Sequence, residues 1–179
     1  MDRGGVKLSI ASIKTEGKIS YIANNLRMEM GEVLQLLTQI MEKTIQYTVP
    51  EIEQWIKKYV PKRTGQLQNS LLDSVNKTEW TGQQLRLILF TDVEYARELN
   101  NRKDIQIQHN NEIGSAYYYG HYGKLILNDS NAYYDFMGLL KMFARQHLKD
   151  NFKRARFEIC GSVGVSAAPI SKTIKVRNE

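Results

Sequence analysis

The residues of this sequence that could carry out chemistry are three histidines, one cysteine and a dispersed set of carboxylates. His109, His121 and His147 supply no recognisable metal-ligand spacing. Cys160 follows Ile159, and a lone cysteine in such a setting is far more often a small buried apolar residue than a nucleophile. The sequence lacks a Walker-type glycine loop, a Gly-x-Ser-x-Gly elbow, a His-Glu-x-x-His pair and a Cys-x-x-Cys pair. We therefore expect a protein that is not an enzyme and holds no metal or cofactor.

Basic residues offer binding chemistry instead. The formal net charge is +6 and the pI is near 9.3, which permits either nucleic acid or an acidic protein surface as a partner. Lys62 and Arg63 stand together, and Lys153, Arg154 and Arg156 gather further on. The second group lies near the end of a predicted helix, where cations complement the helix dipole, so part of it needs no partner. These five residues are the candidate basic contacts.

Clustered tyrosines mark a second binding feature, between residues 100 and 124. Two isoleucines alternate there with glutamines, which predicts an extended arm, and a stretch of this length and composition is uncommon in a compact domain unless it is functional. Tyrosine gives a large contact area at low entropic cost, so we favour a protein interface, with stacking on nucleic-acid bases as the competing use. The candidate interface residues are Ile105, Ile107, Tyr117, Tyr118, Tyr119 and Tyr122 in the arm, and Ile174 and Val176 in the C-terminal tail.

Length and composition limit the possible architectures of the chain. A chain of 179 residues with 42% hydrophobic and 25% charged residues is an ordinary globular sequence of one domain. With a single cysteine it can form no disulfide within the chain. No apolar run approaches the ~20 residues of a membrane span, and the N-terminus lacks the apolar core of a signal peptide, so we expect synthesis in the cytoplasm and no membrane.

Helical periodicity is strongest in two regions. Residues 20–47 repeat apolar side chains at spacings of three and four, which predicts a long helix that starts at Ser20. Pro50 interrupts this pattern, and Thr48 with Glu51 could cap a second segment, so we predict a kinked or two-part helix that ends near residue 60. A second long helix is predicted from residue 130 or 131 to about 152, and a short one over 93–99.

Alternation of apolar and polar residues predicts the strands. These cover residues 6–10, 71–80, 83–91, 125–127 and 156–165, and the clearest is 83–91. The fold class is therefore α+β: a long kinked N-terminal helix and a C-terminal helix packed on a small, mostly antiparallel sheet. We predict a single domain over residues 1–165, with the extended arm at 100–124, and an extended C-terminal tail over 166–179.

A basic corner joins the long helix to the strand-rich middle. Pro61 should end the helix because proline has no N–H and restricts the preceding residue. Gly65 can adopt a positive φ that lets the chain reverse. Local evidence alone favours a structural turn. The residues that define the corner, with a pair further along the chain, are Pro61, Arg63, Thr64, Gly65, Leu67, Ser70, Tyr95 and Ala96.

Those eight residues, in their order, resemble the motifs of the tailed-phage tail-completion family, whose members are also described as neck, head–tail joining or minor capsid proteins. In that family a long helix runs into a Pro-x-basic-Thr-Gly-x-Leu-x-x-Ser segment, and a Tyr-Ala pair follows after the next strands. The resemblance covers roughly residues 20–155.

The resemblance implies a structural virion protein that assembles in the host cytoplasm. It implies a ring of identical subunits, with six as the expected number, that joins the head or connector to the tail. Expected partners are a connector or head-closure protein and the tail tube or tail terminator, with DNA passing through the ring. Two alternatives stay open: a basic nucleic-acid-binding protein, and a tail-terminator or head-closure ring of the same virion.

Overall fold

The computed structural model describes residues 6–15, 18–60, 64–96, 108–109, 112–113, 116–119, 124–127 and 136–178. Its helices are α1 (Ile19–Leu26), α2 (Met30–Tyr59), α3 (Gln66–Val75), α4 (Phe136–Ser162) and α5 (Ala168–Thr173). Its strands are β1 (Val6–Lys14), β2 (Glu79–Trp80), β3 (Gln84–Thr91), β4 (Gln108–His109), β5 (Glu112–Ile113), β6 (Ala116–Tyr119), β7 (Lys124–Leu127) and β8 (Val176–Asn178). The protein belongs to the α+β class, as its sequence predicts.

A four-stranded sheet forms one layer, in the order β2-β3-β1-β8, and every neighbouring pair in it is antiparallel. Leu85, Leu87 and Leu89 of β3 are fully buried, whereas Arg86 and Phe90, at alternate positions, are exposed. This alternation confirms the strand predicted at 83–91. The buried leucines face the helices, so Arg86 and Phe90 lie on the opposite face of the sheet.

The helix α2 is continuous over 30 residues, about 45 Å at 1.5 Å per residue. Its start is fixed by a capping box in which the backbone N–H of Glu29 donates to the Glu32 carboxylate at 2.9 Å. Just before this start, Arg27 takes a left-handed conformation (φ 55°) and ends α1. The prediction of one helix from Ser20 to residue 47 is therefore wrong, because the helix is interrupted between Leu26 and Met30.

Helix α2 runs through Pro50 without interruption, so of the predicted kinked or two-part helix the two-part form is wrong. Thr48 does not cap a second segment; it lies fully buried inside α2, with Pro50 two residues further on in the same helix. Proline removes its own N–H from the helical ladder and its ring crowds the carbonyl four residues earlier, so the packing of buried neighbours such as Thr48 and Ile52 must offset this cost. The helix ends at Tyr59, with Val60 in an extended conformation, which confirms the predicted end.

Two predicted strands are helical. Residues 71–75 belong to α3, where Leu67, Leu71 and Val75 repeat every four residues and bury one face, so only Glu79–Trp80 of that prediction is a strand. Residues 156–162 belong to α4, which ends in a Schellman motif: Gly164 has a positive φ of 70°, and the Val165 N–H donates to the Cys160 carbonyl at 3.0 Å. The strand β7 confirms the short strand predicted at 125–127.

The C-terminal residues form ordered structure instead of the expected extended tail. After α5, strand β8 pairs with β1 in the register Ser12↔Arg177 and Ile13↔Val176. Lys18 Nζ donates to the Thr173 carbonyl at 2.6 Å. Ile174 is buried in the core of its own chain, and Val176 packs against that core. Ile174 is therefore not a free inter-subunit contact, which corrects that expectation.

The arm is described as two short hairpins. Strands β4 and β5 pair with each other, as do β6 and β7, with Tyr117 opposite Ile126. Tyr117, Tyr118 and Tyr119 all lie on β6, whereas the predicted contacts at 105, 107 and 122 fall outside the described residues. Among the helices described, none is long and apolar enough to span a membrane.

The buried tail gives a first prediction. Ile174→Ala should lower the free energy of unfolding by about 2–5 kcal/mol, because it opens a cavity at a side chain that is 1% exposed. Val163→Ala, at a side chain that is 51% exposed, should change it by less than about 0.5 kcal/mol. Urea unfolding followed by circular dichroism measures both, and equal effects would show that Ile174 is not a core residue.

Candidate functional site

The corner between α2 and α3 is built around Gly65. Residues 61–63 lie outside the described residues; α3 then begins after Gly65, whose φ of +82° suits glycine. The Asn69 N–H donates to the Gly65 carbonyl at 2.9 Å, and the Gln66 N–H lies 3.4 Å from the Thr64 hydroxyl. The predicted chain reversal at Gly65 is confirmed.

A glutamine that sequence reasoning missed holds the corner closed. Gln68 is buried, and its Nε2 donates to the Val60 carbonyl at 2.8 Å and lies 3.3 Å from the Lys57 carbonyl. The last carbonyls of a helix have no partner within that helix, so this amide satisfies the end of α2 from α3. No pattern in the sequence marks a buried glutamine, because the residue is usually exposed.

The corner also contacts the residues after β3. Leu67 is buried against the core, and the Ser70 hydroxyl donates to Asp92 Oδ1 at 3.2 Å. Ala96 is fully buried, and Tyr95 beside it is half-exposed. Four of the eight motif residues thus lie in one corner, and Ser70 links that corner to the segment that leads to Tyr95 and Ala96.

A polar cleft of about 540 Å³ opens between α3 and the end of β3. Side chains that line it include Thr64, Asn69, Ser70, Asp73, Lys77, Phe90 and Asp92. Hydroxyl, amide and carboxylate oxygens accept hydrogen bonds, so the cleft is chemically suited to a basic or polar side chain of a protein partner. Within the described ranges, no three His, Cys, Asp or Glu side chains are grouped to hold a metal ion. Burial raises the pKa of the Cys160 thiol.

The predicted basic contacts of α4 are largely engaged within the protein. Arg154 Nε donates to Glu158 Oε1 at 3.0 Å and its guanidinium lies 4.0 Å from the centre of the Tyr47 ring. Lys153 lies 3.6 Å from Asp150. Arg156 is buried beside the Phe157 ring, and this burial lowers its pKa. The arginines of this cluster therefore support packing, and Lys62 and Arg63 lie outside the described residues.

Glu158 is the centre of a clamp between α4 and α2. Its carboxylate accepts hydrogen bonds from Lys43 Nζ at 2.9 Å, from the Tyr47 hydroxyl at 2.7 Å and from Arg154. The hydrogen bonds from Lys43, Tyr47 and Arg154 lower the pKa of Glu158 to about 2.

A second set of polar contacts joins the same two helices nearer the C-terminal end of α2. His147 Nδ1 lies 2.5 Å from Glu51 Oε2, and Asn151 Nδ2 donates to the same oxygen at 2.6 Å. The His147 ring stacks on Phe143, with ring centres 3.9 Å apart. Glu51, predicted to complete a capping box, instead lies at this helix–helix contact.

Compared with protein-family models, curated proteins and solved structures, the chain matches none. The corner, the arm and the charged surfaces therefore carry the functional argument by themselves.

Gly65 gives a prediction with an internal control. Gly65→Ala should lower the free energy of unfolding by about 1 kcal/mol, because a side chain at φ +82° is strained although no clash is expected. Gly161→Ala, within α4 and with open space around it, should raise stability by up to about 1 kcal/mol. Urea midpoints of the two variants test this. If Gly65→Ala left the free energy of unfolding unchanged, the claim that this position requires glycine would be wrong.

Glu158 gives a prediction about pH. Its pKa in the folded protein, about 2, lies below the ordinary value of 4.5, so its contribution to stability is present above about pH 4.5 and is lost as the pH falls towards 2. Glu158→Gln should therefore make stability fall less steeply over that window. Urea unfolding at several pH values measures the difference, with Glu42→Gln, an exposed position on α2, as the control that keeps the wild-type slope.

Proposed function

We propose that this protein is a structural component of a tailed bacteriophage or prophage. It forms a ring of identical subunits, six by expectation, in the neck between head and tail. The observation that carries the proposal is the corner: Thr64, Gly65, Leu67 and Ser70 match the family pattern and lie at one packed junction between the long helix and the sheet. Motif residues that pack at a junction between secondary-structure elements support a family resemblance better than the same residues in an exposed loop would.

The work of such a protein is assembly. The helices and sheet form a packed body, and the hairpins β4–β5 and β6–β7 extend the chain in a form suited to contact with a neighbour. Tyr117, Tyr118 and Tyr119 follow one another on β6, which pairs with β7. Three consecutive tyrosines give this short strand a large aromatic contact area for a partner.

Exposed apolar side chains on the helices support association with other subunits. Met30 and Leu34 lie one turn apart at the start of α2, and both are exposed. Phe157 of α4 is 64% exposed, which is unusual for an aromatic side chain of this size. These side chains would gain from burial against an adjacent subunit or ring.

The polar cleft beside the corner offers a place for a partner side chain. Asp73 and Asp92 contribute carboxylates, and Asp92 is already held by Ser70. A basic side chain from the connector, head-closure or tail protein would complement them. A tail-terminator or head-closure ring of the same virion would use the same features. The identity of the protein that it binds would show which of these positions in the virion it occupies.

The tyrosines give a direct test of ring joining. Replacement of Tyr117, Tyr118 and Tyr119 with serine should weaken association of subunits, or of the ring with its partner, by more than about tenfold, because aromatic anchors dominate interface energy. Light scattering over a concentration series, with negative-stain electron microscopy, measures assembly with and without tail or connector protein.

The matched control is Tyr21→Ser, at a tyrosine that is 50% exposed on α1, far from the arm in sequence. It should assemble as the wild type does. Circular dichroism checks that both variants are folded. A triple variant that forms rings and joins partners normally would contradict the role of the arm, and a wild-type chain that forms no ring with any neck or tail protein would contradict the proposed function.

A further inference from the structure

The outer face of the four-stranded sheet carries a cluster of basic residues outside the predicted basic contacts. Leu85 pairs with Ile13 and Leu87 with Ala11, and all four are buried in the core. The residues between them, Arg86 and Ser12, therefore lie on the opposite face. Arg177 of β8 pairs with Ser12 from the other side, so one row runs Arg86, Ser12, Arg177 across three strands.

A second row lies two residues along the strands. Lys14 pairs with Gln84 of β3 and lies on the same face as Ser12. Lys175 precedes Arg177 by two positions in extended chain, so it continues this row beside Lys14. We call Lys14, Arg86, Lys175 and Arg177 the basic sheet face. All four are exposed.

The charges of the basic sheet face have few acidic neighbours among the described residues. Within the part of the chain that the structure describes, no ion pair joins any of the four to a carboxylate. Glu79 pairs in register with Arg86 at the far edge of the sheet and is the one acidic residue in these two rows. Arg86 Nε donates to Gln84 Oε1 at 3.1 Å. This amide is a neutral partner, so it orients the guanidinium without neutralising its positive charge.

Two features of the basic sheet face are unfavourable without a ligand. Like charges on adjacent strands, as at Lys14 and Lys175, destabilise a sheet. Ser12, in the middle of the face, is fully buried, and its hydroxyl has no hydrogen-bond partner in the structure. A bound anion would relieve the repulsion and could accept from this hydroxyl once the flanking side chains move onto the ligand.

We propose that the basic sheet face binds the phosphate backbone of duplex DNA. Neighbouring strands are about 4.8 Å apart and alternate residues about 6.7 Å apart, so the four cations fall within a patch of roughly 10 by 7 Å. Duplex DNA presents one negative charge per ~1.7 Å of its axis, so several phosphates lie within reach of such a patch. Contacts of this kind are independent of sequence.

Duplex DNA is the occupant that the surroundings favour. Binding to unpaired bases relies on aromatic side chains between the cations. The exposed aromatic residue of β3, Phe90, lies four residues from Arg86 and lines the polar cleft, beside Asp73 and Asp92. A protein partner would need an apolar anchor among the charges, and Ser12 and Gln84 fill the positions between them. The proposal does not rest on ring formation, since the face is complete within one subunit.

The test is fluorescence anisotropy with a labelled random-sequence duplex over about 50 to 200 mM salt, using the full chain. The wild type should bind with a log–log salt slope of about −2 to −4, for two to four phosphate contacts. The double variants Arg86→Gln/Arg177→Gln and Lys14→Gln/Lys175→Gln should each bind at least about tenfold more weakly at low salt and have slopes less negative by about 2.

The control is Lys57→Gln/Lys149→Gln, which removes one exposed lysine from α2 and one from α4 and changes net charge equally. It should keep the wild-type slope and affinity within about twofold. Equal losses in the control and the sheet variants would overturn the proposal in favour of a net-charge effect. Tighter binding to a single strand of the same length, or no binding by the wild type at the lowest salt, would also overturn it. Urea midpoints confirm that each variant is folded. Because two separate double variants of the basic sheet face are measured, the test does not depend on the folding of either one alone.

Discussion

Burial of one apolar stripe along α2 is the constraint on which the rest of this fold depends. The stripe includes Val33, Leu37, Ile40, Ile52 and Ile56, all fully buried. Helix α4 packs along it, and polar contacts on α2 fix where each neighbour sits: Tyr47 with Glu158, Thr48 with Asn151, and Thr38 with Trp80 of the sheet hairpin. Apolar packing has little direction of its own, so these hydrogen bonds set the register between layers. The corner and the sheet are positioned by the same helix.

Sequence reasoning succeeds where a local rule decides the structure. Apolar and polar residues alternate along β3 because one face of that strand is buried. The end of α2 near Pro61 follows from the missing proline N–H. It fails where tertiary contacts decide. Arg27 ends α1 in a left-handed conformation that glycine would normally signal, and Pro50 is tolerated inside α2. Residues 156–162 alternate like a strand, yet buried Ala155 and Cys160 hold them in α4.

The functional residues divide in the same way. Gly65 is recognisable because its conformation requires glycine, whereas Gln68 is not, because a glutamine that caps a distant helix end has no sequence signature. The basic sheet face was equally invisible, since it combines residues from β1, β3 and the C-terminal strand that only pairing brings together. Conversely, the basic run on α4 is conspicuous in sequence, and its arginines are engaged by Glu158, Tyr47 and Phe157. Charge seen in sequence and charge available to a ligand are therefore different quantities.

The pairing of β8 with β1 has a consequence for biosynthesis. These strands come from opposite ends of the described chain, so the sheet is closed by contacts of very high sequence separation, which form late because a long loop must be closed first. During translation β1 and β3 can pair, but β1 keeps one open edge until residues 176–178 have left the ribosome. Arg177 joins its row only at that moment. A nascent or truncated subunit that lacks residues 174–178 therefore lacks Lys175 and Arg177, so the basic sheet face is complete only after β8 has paired with β1.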